Sequence, residues 1–346
     1  MNFCSDNVTG IAPAILEALI KANQGAAMPY GGDDLTEQLQ QRFEDLFETP
    51  LAVFPVATGS AANALALSSV VPPYGAIYCH PQSHINVDEC GSPELFTGGA
   101  KLVGIPGAAG KIAAADLAQV LSTAGAGVVH HVQPAAVSLT QATEAGTVYH
   151  LEEIKAISHV AHQHGLVVHM DGARFANALV SLGCRPAALT WQAGIDMLSF
   201  GATKNGAMAA EAVIFFQPDM AASFPFRRKR AGHLFSKMRF LSAQLLAYLE
   251  ADRWLDYARQ ANQMASQLAA GLQTLAGVEL LFPVEANELF VSLPNSTIEK
   301  LQAAGFRFYP WIPRDPRTTI RLVTAFDTQP SHVTAFLTCV ADSLSD

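Results

Sequence analysis

The segment Leu198-Ser199-Phe200-Gly201-Ala202-Thr203-Lys204-Asn205-Gly206 joins an apolar run to a single lysine. The apolar run, which begins at Ile195, is typical of a short buried strand. Lys204 follows three small residues in an otherwise uncharged neighbourhood. Because burial disfavours a charged amine, such a lysine loses its proton readily and can form an imine with an aldehyde. The segment favours a Schiff-base lysine holding an aldehyde cofactor, and an exposed lysine at a strand end is the alternative.

The length and composition of the chain limit its class. It has 346 residues, of which 50% are hydrophobic and only 15% are charged, and this predicts a globular protein with a large and a smaller domain. The net charge of −9 argues against a general affinity for nucleic acid or an anionic membrane. The sequence has no basic or apolar leader and no uncharged run of membrane-spanning length. We therefore expect neither nucleic acid nor a membrane as a partner.

The five cysteines are far apart in the sequence and form no CxxC pair. An odd number at such spacings predicts free thiols rather than a disulfide framework or a zinc site. We expect a cytoplasmic protein without a bound metal. The cysteines are Cys4, Cys79, Cys90, Cys184 and Cys339.

Strand-length apolar runs alternate with amphipathic helical segments over the first two-thirds of the chain. This order predicts an α/β fold with a mostly parallel sheet covered on both faces by helices. The predicted strands are Leu51–Ala57, Ala76–His80, Lys101–Pro106, Gly127–Val132, Ala136–Gln141, Leu166–Asp171, Ile195–Phe200 and Ala212–Gln217. The predicted helices include Ser60–Val70, Leu151–His164 and Phe175–Leu182.

The order of elements changes in the last third of the chain. A long helical pattern runs from about His233 to Leu275, with a possible break at residues 252–254. The elements after it predict a smaller α+β domain: strands Val278–Phe282, Leu289–Leu293, Arg307–Trp311 and Thr319–Val323, and helices Thr297–Ala304 and Ser331–Leu344. We place residues 1–240, with an amino-terminal arm, in a large domain and residues 241–346 in a small carboxyl-terminal domain.

Residues 58–63, Thr-Gly-Ser-Ala-Ala-Asn, follow a predicted strand and begin a predicted helix. A helix N-terminus offers free N–H groups and a positive dipole, and small residues at Gly59 and Ser60 allow an anion to approach. The pattern is neither GxGxxG nor a Walker A loop, so it favours a phosphate monoester over a dinucleotide or triphosphate. An ordinary serine N-cap is the alternative.

Residues 169–174, His-Met-Asp-Gly-Ala-Arg, stand at the carboxyl end of an apolar strand, where open α/β sheets bind their ligands. Asp171 needs a cationic partner there, and a protonated pyridine nitrogen would serve. Arg174 is close enough to reach the same cavity, and its planar fork suits a carboxylate. A structural ion pair between Asp171 and Arg174 is the alternative.

Two histidine positions are candidates for stacking or proton transfer. His84 follows a strand on a loop that leads into a helix, where its ring could stack on a cofactor or move a proton. His130 and its neighbour His131 end a predicted apolar strand. Structural, half-buried histidines are the favoured interpretation of the second pair.

Basic residues mark two further candidate sites. Residues 227–230 read Arg-Arg-Lys-Arg, and a solvated loop is one interpretation. The other is a contact with an anion, either within the chain or across a subunit boundary, in which Arg228 or Lys229 lies near a phosphate. Arg321 lies inside an apolar strand, where a substrate carboxylate would satisfy its charge. Two polar clusters, residues 5–7 and 30–34, either cap helices or fold over a site.

Together these motifs resemble the aspartate-aminotransferase-like (fold type I) pyridoxal-phosphate enzymes, and more closely the low-specificity L-threonine aldolases of the beta-eliminating lyase group. His-Met-Asp-Gly-Ala-Arg, followed about thirty residues later by Thr-Lys-Asn-Gly, is the most specific part. The matching motifs keep the family's order across most of the chain: residues 5–7, 30–31, 58–63, 84, 169–174, 203–206 and 321.

The resemblance implies a role for each matching residue. Lys204 would carry pyridoxal 5'-phosphate covalently, Asp171 would pair with its pyridine nitrogen, and His84 would stack on its ring. The implied cofactor-binding residues are Gly59, Ser60, His84, Asp171, Arg174, Thr203, Lys204, Arg228 and Lys229. The implied substrate-binding residues are Ser5, Tyr30, Arg174 and Arg321.

The implied reaction cleaves L-threonine, L-allo-threonine and related β-hydroxy-α-amino acids such as phenylserine to glycine and an aldehyde. Other reactions on the same scaffold, β-elimination, racemisation or transamination, are alternatives. Two alternatives come from other classes of protein: a non-catalytic ligand-binding protein and a nicotinamide-dependent enzyme. The resemblance also implies a homodimer or homotetramer with shared active sites.

One departure from the family concerns the group that takes the hydroxyl proton. Many members carry a Glu-Asn-Thr-His-Asn-like stretch after the middle strands, and its histidine lies near the substrate hydroxyl. Here the corresponding residues 137–144 read Val-Ser-Leu-Thr-Gln-Ala-Thr-Glu. The base is left open, with His84 as the first choice and His130 as the second.

Overall fold

The structure is a computed structural model, and it describes residues 1–345. The strands are β1 (Ala52–Val56), β2 (Gly75–Cys79), β3 (Lys101–Gly104), β4 (Gln133–Thr140), β5 (Val167–Gly172), β6 (Met197–Gly201), β7 (Glu211–Phe215), β8 (Glu279–Leu280), β9 (Glu288–Pro294), β10 (Tyr309–Ile312) and β11 (Arg317–Val323). The helices are α1 (Pro13–Ala22), α2 (Asp34–Phe47), α3 (Gly59–Val70), α4 (His84–Val87), α5 (Ser92–Thr97), α6 (Ala114–Ser122), α7 (Leu151–Gln163), α8 (Phe175–Leu182), α9 (Pro186–Leu189), α10 (Phe224–Arg230), α11 (Arg239–Leu249), α12 (Arg253–Gln273), α13 (Asn295–Ala303) and α14 (Pro330–Ser345).

Seven strands form the larger sheet in the order β1-β7-β6-β5-β4-β2-β3. Strand β7 runs antiparallel to both of its neighbours, and the other pairings are parallel. The predicted mostly parallel sheet is therefore confirmed. The carboxyl ends of β4, β5 and β6 lie at one edge, because parallel strands connected through helices all begin at the opposite edge.

Hydrophobic cores cover both faces of this sheet. In β6, Leu198 and Phe200 pack into one core while Met197 packs into the other. Successive side chains of a strand point to opposite faces, so a strand buried on both sides is apolar at nearly every position. This is why the sequence shows continuous apolar runs rather than alternation.

The prediction of a strand at Gly127–Val132 is wrong. These residues form turns, and β4 begins only at Gln133. Gly125 and Gly127 both have positive φ angles (+73° and +79°), a backbone that bends the chain away from an extended path. Val129 is 91% exposed, so this apolar run is not part of the core.

The last third of the chain forms the smaller α+β unit predicted from the sequence. Its sheet has the order β10-β11-β9-β8 and is antiparallel. The predicted helical pattern divides into α11 and α12 at residues 250–252, slightly before the expected break, where Ala251 and Asp252 have positive φ angles. The boundary that we propose near residue 240 falls at the beginning of α11.

The amino-terminal residues contact the smaller sheet. The amide of Phe3 donates to the Arg307 carbonyl over 2.8 Å, and the Val323 amide donates to the Phe3 carbonyl over 2.9 Å. The Phe3 ring is buried against Phe336. The next residues, 5–7, are thereby held beside the carboxyl edge of the larger sheet. No helix within residues 1–345 is both long and apolar enough to cross a membrane.

Candidate active site

Two adjoining cavities open at the carboxyl edge of the larger sheet. The first, here called the lysine cavity, has a volume of about 500 Å³. It brings together six of the predicted residues: Gly59, Ser60, His84, Asp171, Thr203 and Lys204. Such a volume is typical of a small-molecule site.

Two glycines let the ends of β5 and β6 approach each other below this cavity. A Cβ atom on Gly201 would lie 2.5 Å from the Ala173 carbonyl oxygen, and one on Gly172 would lie 2.8 Å from the Ser199 carbonyl oxygen. Side chains at these positions would force the strands apart. Asp171 and Lys204 therefore reach the same cavity from neighbouring strands.

Asp171 is buried and held in one orientation. Its Oδ1 accepts the Ala173 amide over 3.0 Å, and its Oδ2 accepts Asn63 Nδ2 over 2.8 Å. Neither partner is a cation, and residues 1–345 provide no ion pair between Asp171 and Arg174, so that predicted alternative is wrong. A carboxylate placed this way suits a cationic ligand group.

The amino end of α3 forms another wall of the lysine cavity. The Thr58 side chain caps the helix by accepting the Ala61 amide over 3.2 Å. Gly59 and Ser60 stand in the first turn, where helical N–H groups lack intrahelical acceptors. A Cβ atom on Gly59 would meet nothing within 4 Å, so the approach is open. This wall can bind an anion such as a phosphate.

A chain of hydrogen bonds connects His84 to Asp171. His84 Nδ1 lies 2.8 Å from Glu89 Oε1, and Asn63 Nδ2 donates to that same oxygen over 2.8 Å as well as to Asp171. The hydrogen bond with Glu89 raises the pKa of His84 against the opposing effect of burial, and Asp171 and Glu144 add to the rise. The network fixes the ring of His84 and favours its charged form.

The second cavity, here called the arginine cavity, also has a volume of about 500 Å³. It brings the predicted residues Ser5, Arg174 and Arg321 together with Lys204 and His84. Two guanidinium groups in one cavity suit a carboxylate ligand.

Arg174 is fixed by two buried carboxylates. Its Nε and Nη2 donate to Asp6 over 2.8 and 3.2 Å, and its Nη1 lies 3.2 Å from Glu288 Oε2. Burial alone would raise the pKa of Asp6, but the charges of Arg174 and Lys204 and the hydrogen bonds from Arg174 and Asn287 together hold that pKa below its usual value. The same carboxylates raise the pKa of Arg174 despite its burial. Arg174 is therefore a permanent cation with a fixed direction.

Arg321 shares Glu288 with Arg174. Its Nη1 lies 3.5 Å from Glu288 Oε1, and its guanidinium carbon lies 5.5 Å from the ring centres of both Tyr309 and Trp311. Glu288 is 1% exposed and is shared between the two arginines. Within residues 1–345, Arg321 Nε has no hydrogen-bond partner, so it can donate to an anionic ligand.

Glu211 borders the lysine cavity beside Lys204. Its Oε2 accepts the Ala202 amide over 2.8 Å. Burial raises the pKa of Glu211 to about 7, against the opposing effect of the Thr203 hydroxyl and the Ala202 amide. This carboxyl group therefore changes charge near neutral pH.

Three predicted residues lie outside both cavities of their own chain. Tyr30 and Lys229 border a separate surface cleft, with Lys229 Nζ 4.7 Å from the centre of the Tyr30 ring. Arg228 is buried, donates to the Pro55 carbonyl over 3.3 Å and packs on the Phe54 ring. Within one chain, none of the three reaches Lys204.

His130 lies outside both cavities of its own chain. It is exposed in the turn before β4, at the amino end of the parallel strands and so at the edge opposite the cavities. The prediction assumed a strand ending at His130, but the chain turns there and enters β4 afterwards. Within one chain, His130 therefore does not reach Lys204.

Sequence reasoning assigned no role to several acidic and amide residues around the cavities. Their only sequence signal was a charged or amide residue beside an apolar run, which is also common on ordinary surfaces. These residues are Asn63, Glu89, Glu144, Glu211 and Glu288.

The residues of the lysine cavity fit pyridoxal phosphate. A lysine, a buried carboxylate that pairs with no cation within residues 1–345, and an anion-binding helix end face one space. They match the cofactor's aldehyde, its pyridine nitrogen and its phosphate, in that order. The fit rests on these three groups together, since each alone has an ordinary structural explanation.

Comparisons with known proteins agree with this chemistry. Residues 2–295 match the family described as beta-eliminating lyase. The chain is 46% identical over 310 residues to the low specificity L-threonine aldolase of Pseudomonas aeruginosa, covering 90% of this chain and 89% of that protein. It is 44% identical over 331 residues to the enzyme of the same name from Pseudomonas sp., covering 96% and 94%.

The fold is also similar to a solved structure of Leishmania major threonine aldolase. The TM-score is 0.92, the sequence identity is 29%, and 98% of each chain is covered. The expected fold class, that of the fold type I pyridoxal-phosphate enzymes, is confirmed. The match over residues 2–295 and the two relatives with more than 40% identity place this chain in the beta-eliminating lyase family.

Proposed function

We propose that this protein is a pyridoxal-phosphate-dependent aldolase. It cleaves L-threonine, L-allo-threonine and related β-hydroxy-α-amino acids, including phenylserine, to glycine and an aldehyde. The observation that carries the proposal is the pairing of the two cavities, with Lys204 bordering both of them. An amino acid can place its amino group at the lysine cavity while its carboxylate reaches the two arginines.

In this proposal, Lys204 Nζ would hold the cofactor covalently through its aldehyde carbon. Asp171, fixed by Asn63, would pair with the ring nitrogen, and Gly59 and Ser60 would bind the phosphate. When bound, pyridoxal phosphate supplies an electron-accepting ring that stabilises negative charge at the substrate Cα. His84, which borders the same cavity, would stack on the ring.

Arg174 and Arg321 bind the substrate carboxylate and so orient the substrate. Because Arg174 is held by Asp6 and Glu288, the carboxylate has one preferred position. Fixing the carboxylate and the amino group would limit which bond of Cα is aligned to break. In the proposed reaction this is the Cα–Cβ bond.

We also propose that a second copy of the chain completes the site, in a homodimer or homotetramer. Tyr30 and Lys229 lie outside the cavities of their own chain, and Tyr30 is 50% exposed. The exposed apolar rings of Phe226 (77%) and Phe235 (39%) support an interface on this side. Light scattering coupled to gel filtration tests this, and a monomer that is active at assay concentration would contradict it.

We propose a reducing, cytoplasmic location as well, since all five cysteines are free. Thiol titration of protein purified without reductant would detect any disulfide.

The decisive experiment incubates the protein and pyridoxal phosphate with L-threonine and, separately, with L-allo-threonine. We expect glycine and acetaldehyde in equal amounts. If the protein binds pyridoxal phosphate but yields neither product from either substrate or from phenylserine, the aldolase proposal is wrong. Ammonia and a keto acid, or the D-amino acid, would then identify β-elimination or racemisation.

A further inference from the structure

The wall shared by the two cavities is where the side chain of a bound amino acid must lie. Five residues border both cavities: Asn7, His84, Asp88, Glu144 and Lys204. A substrate whose amino group is at Lys204 and whose carboxylate is at the arginines directs its Cβ and hydroxyl toward this wall. This geometry rests on the proposed function.

Among these five residues, His84 is poorly suited to accept a proton. Its Nδ1 is engaged by Glu89 at 2.8 Å, and its pKa is raised, chiefly by that hydrogen bond. The hydrogen bond to Glu89 favours the charged form of the ring, and that form donates from both nitrogens and has no free lone pair to take a proton.

Two carboxylates remain, and they differ in environment. Asp88 is exposed, whereas Glu144 is half-buried between the two cavities. Within residues 1–345, the Glu144 carboxylate forms no hydrogen bond and no ion pair, so its oxygens are available to a ligand.

The charges that face Glu144 come from several elements. Lys204 and Arg174 favour its ionised form, while Glu288 and Asp171 oppose it, and His84 lies on the same wall. Burial is the largest influence and raises the pKa of Glu144. A carboxylate with a raised pKa is a stronger base than an exposed one.

We propose that Glu144 is the catalytic base that takes the β-hydroxyl proton of the substrate. The proton moves from the hydroxyl oxygen to a Glu144 oxygen, and the C–O bond becomes the aldehyde C=O. The Cα–Cβ bond breaks, and its electron pair stays with the glycine fragment. A proton from water then adds to Cα and Glu144 releases its proton to water, so that one amino acid yields glycine and one aldehyde without an oxidant or reductant.

The first test is Glu144→Gln, which preserves the shape of the side chain and one acceptor oxygen but cannot take a proton. We expect kcat for L-allo-threonine to fall about 100-fold, as is typical for loss of a general base. Exchange of the glycine α-hydrogen with D2O involves no β-hydroxyl, so we expect it to continue at nearly the wild-type rate. The affinity for pyridoxal phosphate, measured by absorbance titration, should be unchanged.

The second test measures contact with the hydroxyl by binding rather than turnover. L-Serine and L-alanine differ only by that hydroxyl, and their dissociation constants can be compared by spectral titration of the cofactor-loaded protein. For each protein we take the dissociation constant for alanine divided by that for serine. We expect this ratio to be about tenfold larger in the wild type than in Glu144→Ala, because the variant loses one hydrogen bond between the hydroxyl and a charged group. An unchanged ratio in Glu144→Ala would overturn the proposal.

Glu152→Gln is the matched control, since it makes the same substitution at an exposed carboxylate of α7 that borders neither cavity. We expect its kcat to stay within a few-fold of wild type. The proposal is wrong if Glu144→Gln retains wild-type kcat, or if it loses glycine exchange together with cleavage, since Glu144 would then support the site as a whole. If the wild type itself cleaves no β-hydroxy-amino acid, the proposed function fails instead.

Discussion

Arg174 Nε lies 2.8 Å from Asp6 Oδ2, and this buried pair joins the amino-terminal segment to the residues that follow β5. The two residues are 168 positions apart in the sequence. Asn287 Nδ2 donates to the same Asp6 oxygen over 3.1 Å and so connects the smaller sheet to the pair. The direction of the proposed carboxylate clamp thus depends on three distant parts of the chain.

Asp6→Asn should destabilise the protein and weaken substrate binding. It leaves Arg174 buried with one carboxylate instead of two, and breaking a buried pair typically costs about 3–5 kcal/mol. The stabilisation by Asp6 is present above its unfolded pKa and is lost as the pH falls through the lower folded value. Chemical denaturation at pH 7 and at acidic pH checks both points. Equal stability of variant and wild type at pH 7 would rule out this role.

Lys204→Ala should abolish turnover and the covalent attachment of pyridoxal phosphate. The physical reason is that no other amine borders the lysine cavity within residues 1–345. Borohydride reduction of the wild-type protein with the cofactor, followed by peptide mass analysis, should locate the adduct at residue 204. Lys155→Ala, on the exposed face of α7, is the control and should keep both properties. An adduct found on another lysine would refute the assignment.

Arg321→Ala should raise KM for L-threonine about 10- to 100-fold, the range expected when a hydrogen bond to a charged group is lost. Pyridoxal phosphate should still bind, because Arg321 borders only the arginine cavity. Arg317→Ala is the matched control on the same strand: its guanidinium donates to Ser292 and Gly277, away from the cavities. Steady-state kinetics should show a raised KM for Arg321→Ala but not for Arg317→Ala. An identical KM in both variants would show that Arg321 does not bind the substrate.

Glu211 should make the protein less stable as the pH rises from about 5 to 7. The folded state holds the Glu211 proton up to a pKa of about 7, whereas the unfolded chain releases it near 4.5, so deprotonation favours unfolding over this range. Glu211→Gln should reduce this pH-dependent loss in the free energy of unfolding, by at most about 3 kcal/mol. Melting temperatures of the cofactor-free protein between pH 5 and 8 test this, and parallel curves for variant and wild type would contradict it.

The apolar strand pattern and the polar residues at the strand ends predicted much of the fold and part of the candidate site. Asp171 and Lys204 could be identified because each lies at or just after the carboxyl end of a buried strand. Parallel strands end at the same edge, so residues after neighbouring strands must come together wherever they stand in the chain. The same logic failed at His130, since apolarity alone does not distinguish a strand from an exposed turn rich in valine and glycine.

The sequence by itself determined the succession of strands along the chain. It also identified three groups that face the lysine cavity: the lysine, the aspartate and the helix end. These features depend on local pattern. Only the tertiary structure decided that Asn63 holds Asp171, that Glu288 is shared by Arg174 and Arg321, and that Glu144 faces the space between the cavities. Such contacts join residues far apart in sequence, and no local pattern records which partner a buried charge will meet. The identity of each partner follows from how the two sheets and the amino-terminal segment pack together.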